Sequence, residues 1–184
     1  MNTKKTTPVT TMKGIFDSLD VWREEKGLQH TVGNIAANIG EEIVEYLRAE
    51  NDEQRVDALC DMFVFSVNAL RALGGISNFS ICEEMKGDRH RKIDVIAFIA
   101  NDFSRLIDNR HFNKRRTLQN IVINAKFQIE CLGYNFIRAM DETLKEIHSR
   151  TGAWNDETGK WEKFKTEEAK ALWYTADYTK AKTA

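Results

Sequence analysis

From residue 9 to its end the chain is free of proline, and apolar residues recur at intervals of three and four. That period predicts a nearly all-α protein. A first helix is expected from about Lys13 to Lys26, with Ile15, Phe16, Leu19 and Trp22 on one face and Gly27 closing it. A second runs from about Thr31 to Ala49 with Ile35, Ile39, Ile43, Tyr46 and Leu47. Asn51-Asp52 is a turn and N-cap signal, and a third helix runs from about Glu53 to Leu73, stopped by Gly74-Gly75. Further helices are expected over 78–86, 92–108, 114–132 and 135–150, followed by a hairpin or looped tail around Trp154 to Trp161 and a last helical turn over 167–173. The expected architecture is an all-α helical bundle with a short looped carboxy-terminal tail. Its 184 residues make one domain over 1–184, or two small halves packed as one.

Acids break this pattern on two neighbouring helices. Glu41, Glu42 and Glu45 fall at about 0°, 100° and 40° around the second helix, and Asp57, Asp61 and Asn68 at about 0°, 40° and 20° around the third. Carboxylates four apart on a helix are close enough to share a cation. Acid aimed into a helix interface is unstable unless something cationic neutralises it, and a hard divalent metal with all-oxygen ligands does so. Asp61 and Asn68 also interrupt a run that otherwise reads as core, so both need polar partners.

A faint internal repeat is visible. Ile39–Glu50 lies over Ile99–Arg110, and Gln54–Gly74 over Asn113–Gly133, so that Leu59 meets Leu118 and Leu73-Gly74 meets Leu132-Gly133. The acids change in the second copy: Glu42 becomes Asp102, Glu45 becomes Arg105, Asp57 becomes Arg116 and Asp61 becomes Asn120. One reading is a duplicated helical hairpin whose second half kept its packing and lost its metal site. The other is a pair of generic hairpins.

Charge narrows the function classes. Charged residues make up 30% of the chain and nearly cancel, to a net −1, which argues against a dedicated nucleic-acid binder. Arg89-His90-Arg91-Lys92 and Lys114-Arg115-Arg116 sit at helix starts or turns without interleaved aromatics and read as solvated ends. Cys60, Cys82 and Cys131 have no metal-ligand spacing and lie in apolar helical runs, which fits reduced, buried thiols and a cytoplasmic location. No run is long and apolar enough for a membrane span, and no signal peptide is expected. A di-iron bundle is disfavoured because no histidine has a glutamate three residues before it.

At Glu41-Glu42-x-x-Glu45 and Asp61 the chain resembles the MazG-like all-α nucleoside triphosphate pyrophosphohydrolases, which are related to the dimeric dUTPases. Their pattern is EExxE, a spacer, then ExxD. The first half is matched in full and the terminal acid is Asp61, but the family glutamate is Ala58 here, with Asp57 one residue earlier. The stretch Glu142 to Trp154, with Gly159-Lys160-Trp161 and Leu172 to Tyr178, is similar to the carboxy-terminal part of phage-type MazG-like proteins. On that basis 12–76 carries the metal-binding helices, 77–130 is an insertion or decayed repeat, and 131–184 is the last helix and tail.

The resemblance implies Mg²⁺- or Mn²⁺-dependent hydrolysis of a (deoxy)nucleoside triphosphate to monophosphate and pyrophosphate, in nucleotide-pool control. It implies Glu42, Glu45 and Asp61 as metal ligands, Glu41 and Asp57 as further ligands or supports, and Glu41 as a base. Lys145, Arg150 and Lys160 are the expected phosphate contacts. Trp22 and His30 are candidates for stacking on the base, with Asn34 and Asn38 reading its edge and Asn68 in support. Substrates in order of expectation are dGTP or dCTP, then dUTP, with no nucleic-acid or membrane partner. A homodimer or a dimer of dimers is expected to bury the apolar backs of the helices. The alternative is a non-catalytic helical module that binds a nucleotide or a partner helix.

Overall fold

The computed structural model describes residues 8–28, 32–74, 95–108, 113–157 and 160–183; the helix expected over 78–86 lies outside them. The fold is all-α. Its helices are α1 (Met12–Lys26), α2 (Val32–Arg48), α3 (Asp52–Ala72), α4 (Ile96–Ile107), α5 (Lys114–Cys131), α6 (Phe136–Ser149) and the single turn α7 (Glu167–Lys170). A two-stranded antiparallel hairpin, β1 (Gly152–Asn155) and β2 (Lys160–Lys163), precedes α7, and a 3₁₀ turn over Tyr178–Ala181 follows it. Among the described residues no helix is long and apolar enough to cross a membrane. Cys60 is buried and Cys131 half-buried, while Cys82 lies outside the described residues.

The chain divides into two compact units, one of Met1–Gln29 and Ile137–Ala181, the other of His30–Phe136 and Lys182–Ala184. In the first, side chains of α1 reach backbone of α6 and its end: Trp22 Nε1 donates to the Ile147 carbonyl at 3.2 Å and Lys26 Nζ to that of Arg150 at 2.8 Å. The returning tail is anchored on α6 by buried Glu142. This carboxylate accepts from Lys145 at 2.7 Å, from the Asp177 backbone N–H at 3.1 Å and from the Tyr174 hydroxyl. Burial pushes the Glu142 carboxyl up, but those donors outweigh it and hold it below its ordinary value.

The second unit is a closed circuit of four helices, in which α2 packs on α3, α3 on α5, α5 on α4 and α4 on α2. Its central helix is α3, buried almost all round from Val56 to Leu70, as a helix in the middle of a core must be. Gly40 lets α2 approach α4 closely, since a Cβ there would stand 3.0 Å from the Phe103 ring. The hairpins α2–α3 and α4–α5 share several features at aligned positions. Ile39 and Ile99 are fully buried, as are Leu59 and Leu118. Asparagine caps both second helices: Asn51 accepts from the Gln54 N–H and Asn113 from the Arg116 N–H. Both helices stop on a glycine with positive φ, Gly74 at 96° and Gly133 at 87°, where an L side chain would be strained.

Candidate metal centre

Glu42 owes its burial to helical spacing. It stands seven residues after Ile35 and three after Ile39, inside the apolar stripe that α2 turns to its neighbours, and only 9% of it is exposed. Glu41 and Glu45 flank that stripe and are exposed, while Asp57 and Asp61 on α3 are half-buried. Burial, then the carboxylates of Asp61, Glu45, Asp57 and Glu41 in that order, push the Glu42 carboxyl up to about 8. The other four sequence-predicted acids are therefore in electrostatic reach of this one buried carboxyl group.

Position 58 is clarified too. Ala58 is 1% exposed and sits in the core, so its place in the pattern is structural. Asp57, one residue back, shares a face with Asp61 four residues on and acts on Glu42.

The corresponding acid of the other hairpin makes the need for a cation concrete. Asp102 is as buried as Glu42, at 5% exposure. Its Oδ1 lies 3.6 Å from Arg105 Nη1 and 3.5 Å from Asn120 Nδ2. Burial pushes the Asp102 carboxyl up, and the Asn120 amide and Arg105 guanidinium pull against it. Where the second hairpin answers its buried acid with a guanidinium and an amide, the first sets Glu45 and Asp61 at the same positions.

The donor set is all oxygen, which suits Mg²⁺ or Mn²⁺. Among the described residues no three Asp, Glu, His or Cys side chains already stand in a metal-holding arrangement. Mg²⁺ commonly takes one or two carboxylates, retains waters and completes its shell with substrate phosphates. Asn68, farther along α3 on the face of Asp57 and Asp61, is fully buried with neither amide atom hydrogen-bonded. Ser66 is likewise buried with an unpartnered hydroxyl, a position the sequence reading passed over. Its signal was a polar residue inside an apolar run, but it lies half a turn away from Asp57 and Asp61.

No family model matches the chain, and no curated protein or solved structure matches it either.

The remaining expected site residues are placed differently. Lys145 lies 2.7 Å from both Asp141 and Glu142, and Arg150 pairs with Glu146, so each cation is neutralised within its own helical segment. Both belong to the unit containing α6, whereas the acids belong to the four-helix unit. The Trp22 indole is half-buried and tied to Ile147, which gives it a packing role. Asn38 on α2 is half-buried and Asn34 exposed. Lys160 begins β2, paired with Asn155, and His30 lies outside the described residues.

Proposed function

We propose that the chain is a Mg²⁺- or Mn²⁺-dependent nucleoside triphosphate pyrophosphohydrolase of MazG-like type, working at the acids of α2 and α3. One observation carries the reading: a buried glutamate, Glu42, whose carboxyl is pushed up by burial and by four further carboxylates. A soluble protein keeps such a group when a cation is part of its working state. The EExxE spacing followed by Asp61 supports the same reading.

Glu42, Glu45 and Asp61 would hold the ion, with Glu41 and Asp57 completing or supporting the set. When bound, the ion neutralises phosphate charge and lowers the pKa of an attacking water. The exposed Glu41 carboxylate would accept a proton from the attacking water, as a carboxylate not fully engaged in ligation can. Asp57, half-buried beside Asp61, holds the acid cluster in register with Glu42. The substrates proposed first are dGTP and dCTP, then dUTP.

A panel of nucleotides assayed for pyrophosphate release with Mg²⁺ tests the proposal. Glu45→Gln and Asp61→Asn are each expected to cut turnover at least about a hundredfold while leaving the fold intact, because each removes a charge at the ion. Near-wild-type rates in both variants would move the site elsewhere. No turnover of any triphosphate or diphosphate would leave the non-catalytic binding module.

A further inference from the structure

The α4–α5 hairpin carries a cleft of about 420 Å³ that the acids of α2 and α3 do not line. Helix α4 contributes Phe98, Asn101, Asp102 and Arg105, and α5 contributes Asn120, Asn124 and Phe127, with Ile123 between them. Each set follows the spacing i, i+3, i+4, i+7, which puts it on a single stripe of its helix. The two helices run as a hairpin, so the stripes face each other in opposite directions. Asp102 meets Asn120 toward the turn, and Val95 N–H meets the Gln128 side chain at the far end. The cleft is therefore graded, with a polar head of Asp102, Arg105 and Asn120 and an aromatic end of Phe98 and Phe127.

Several of these groups have unused capacity. Phe98 is 56% exposed, although its neighbours in the stripe are polar. Asn101 is exposed and Asn124 half-buried, so their side-chain amides are open to a ligand. The contacts to Asp102 from Arg105 and Asn120 are long, 3.6 and 3.5 Å, so a ligand N–H can compete for this carboxylate. An occupant must be flat enough to lie against phenylalanine rings, must offer N–H donors to a carboxylate and must accept from amides.

We infer that this cleft binds a guanine-type base. The Watson–Crick edge of guanine carries two adjacent N–H donors, which suit the two oxygens of a carboxylate, and beside them a carbonyl oxygen, which suits an asparagine NH₂. Adenine places a ring nitrogen acceptor where guanine has a donor, so Asp102 repels it. Phe98 and Phe127 supply stacking surface, and the Asn101 and Asn124 amides serve the carbonyl oxygen and ring nitrogen. The inference goes beyond the hydrolytic reading and stands whether or not α2 and α3 hold a metal.

The test is titration of the full chain with guanosine, adenosine and cytidine in excess EDTA, followed by calorimetry and by amide chemical shifts. These nucleosides carry no phosphate, so failure here is independent of failure of the metal centre. Guanosine is expected to bind at least about tenfold more tightly than adenosine, the discrimination of one bidentate edge contact. Its shifts should be confined to α4 and α5. Loss of the stacked ring in Phe127→Leu is expected to weaken guanosine at least about fivefold. The half-buried Asn124→Ala gives a second variant with little risk to folding. Asp102→Asn, which offers the edge a donor as well as an acceptor, is expected to erase the preference for guanosine over adenosine. No saturable binding of guanosine to the wild type overturns the inference. So does adenosine binding as tightly as guanosine, or binding unchanged in both Phe127→Leu and Asn124→Ala.

Discussion

Glu42 governs the chemistry at the scale of single residues, and its titration gives a prediction with a definite sign. Folding raises its carboxyl from an ordinary 4.5 to about 8. Between those values the folded protein holds a proton that the unfolded chain releases, so metal-free stability falls as pH rises through that window and levels off above it. Glu42→Gln removes the dependence. Without metal at pH 8.5 the variant is expected to melt above wild type by at least about 3 °C, the shift that roughly 1 kcal/mol produces in a chain of this size. Mg²⁺ should raise the wild-type melting temperature at that pH and leave the variant unmoved. Parallel pH profiles for wild type and variant in chelator would mean that neither burial nor the other acids raise the Glu42 carboxyl. Much of this was legible in the sequence, because EExxE and Asp57-x-x-x-Asp61 fix carboxylates by helical spacing alone. The ion pairs of Lys145 and Arg150 had a local signal: Asp141 and Glu142 precede the lysine by four and three, and Glu146 precedes the arginine by four. Such i,i+3 and i,i+4 pairs claim a cation before any ligand does. The Trp22 bond to Ile147 spans 125 positions and had no local signal.

The helices themselves were readable because periodicity, asparagine caps and terminal glycines agree. Expected and observed helices differ at most ends by one or two residues, as fraying and capping geometry allow. Less readable was what holds the irregular tail, since nothing in the helical spacing marks Glu142 as its anchor. Its oxygens instead collect donors from α6 and from the tail 32 to 35 positions later. Glu142→Ala leaves the Tyr174 hydroxyl and the Asp177 N–H without that acceptor. The expected loss is roughly 2–3 kcal/mol, the range of charged hydrogen bonds, because Lys145 and Lys180 can turn to water. Urea unfolding measures the loss, and limited proteolysis should cut near 174–181 first. Equal stability and equal protease resistance would assign the tail's anchorage to Tyr178, whose hydroxyl meets Thr143 at 3.0 Å.

For the molecule as a whole, α1 belongs with α6 and the tail, and the residues between them make the four-helix unit. Periodicity cannot yield that division, because it depends on which apolar stripes meet across more than a hundred positions. The near-repeat of α2–α3 in α4–α5 was the one sequence signal of the second unit. Its closed circuit buries within one chain much of the apolar surface that a lone hairpin would have to cover with a partner. The closure is incomplete. Leu47 and Val44 on α2 are 66% and 41% exposed, and Ile107 on the adjoining α4 is 55% exposed. Exposed aliphatic side chains on adjacent helices are the kind of surface that a second copy of the same chain covers in a symmetric dimer. Light scattering after size exclusion is expected to give twice the chain mass at micromolar concentration. Leu47→Glu should weaken association at least about tenfold, since burying one leucine contributes roughly 1.5–3 kcal/mol. It should leave helicity and melting of the four-helix unit unchanged, because the residue faces outward. A wild-type mass of one chain, or a dimer indifferent to Leu47→Glu, would show that the internal pairing of hairpins already takes the place of a partner.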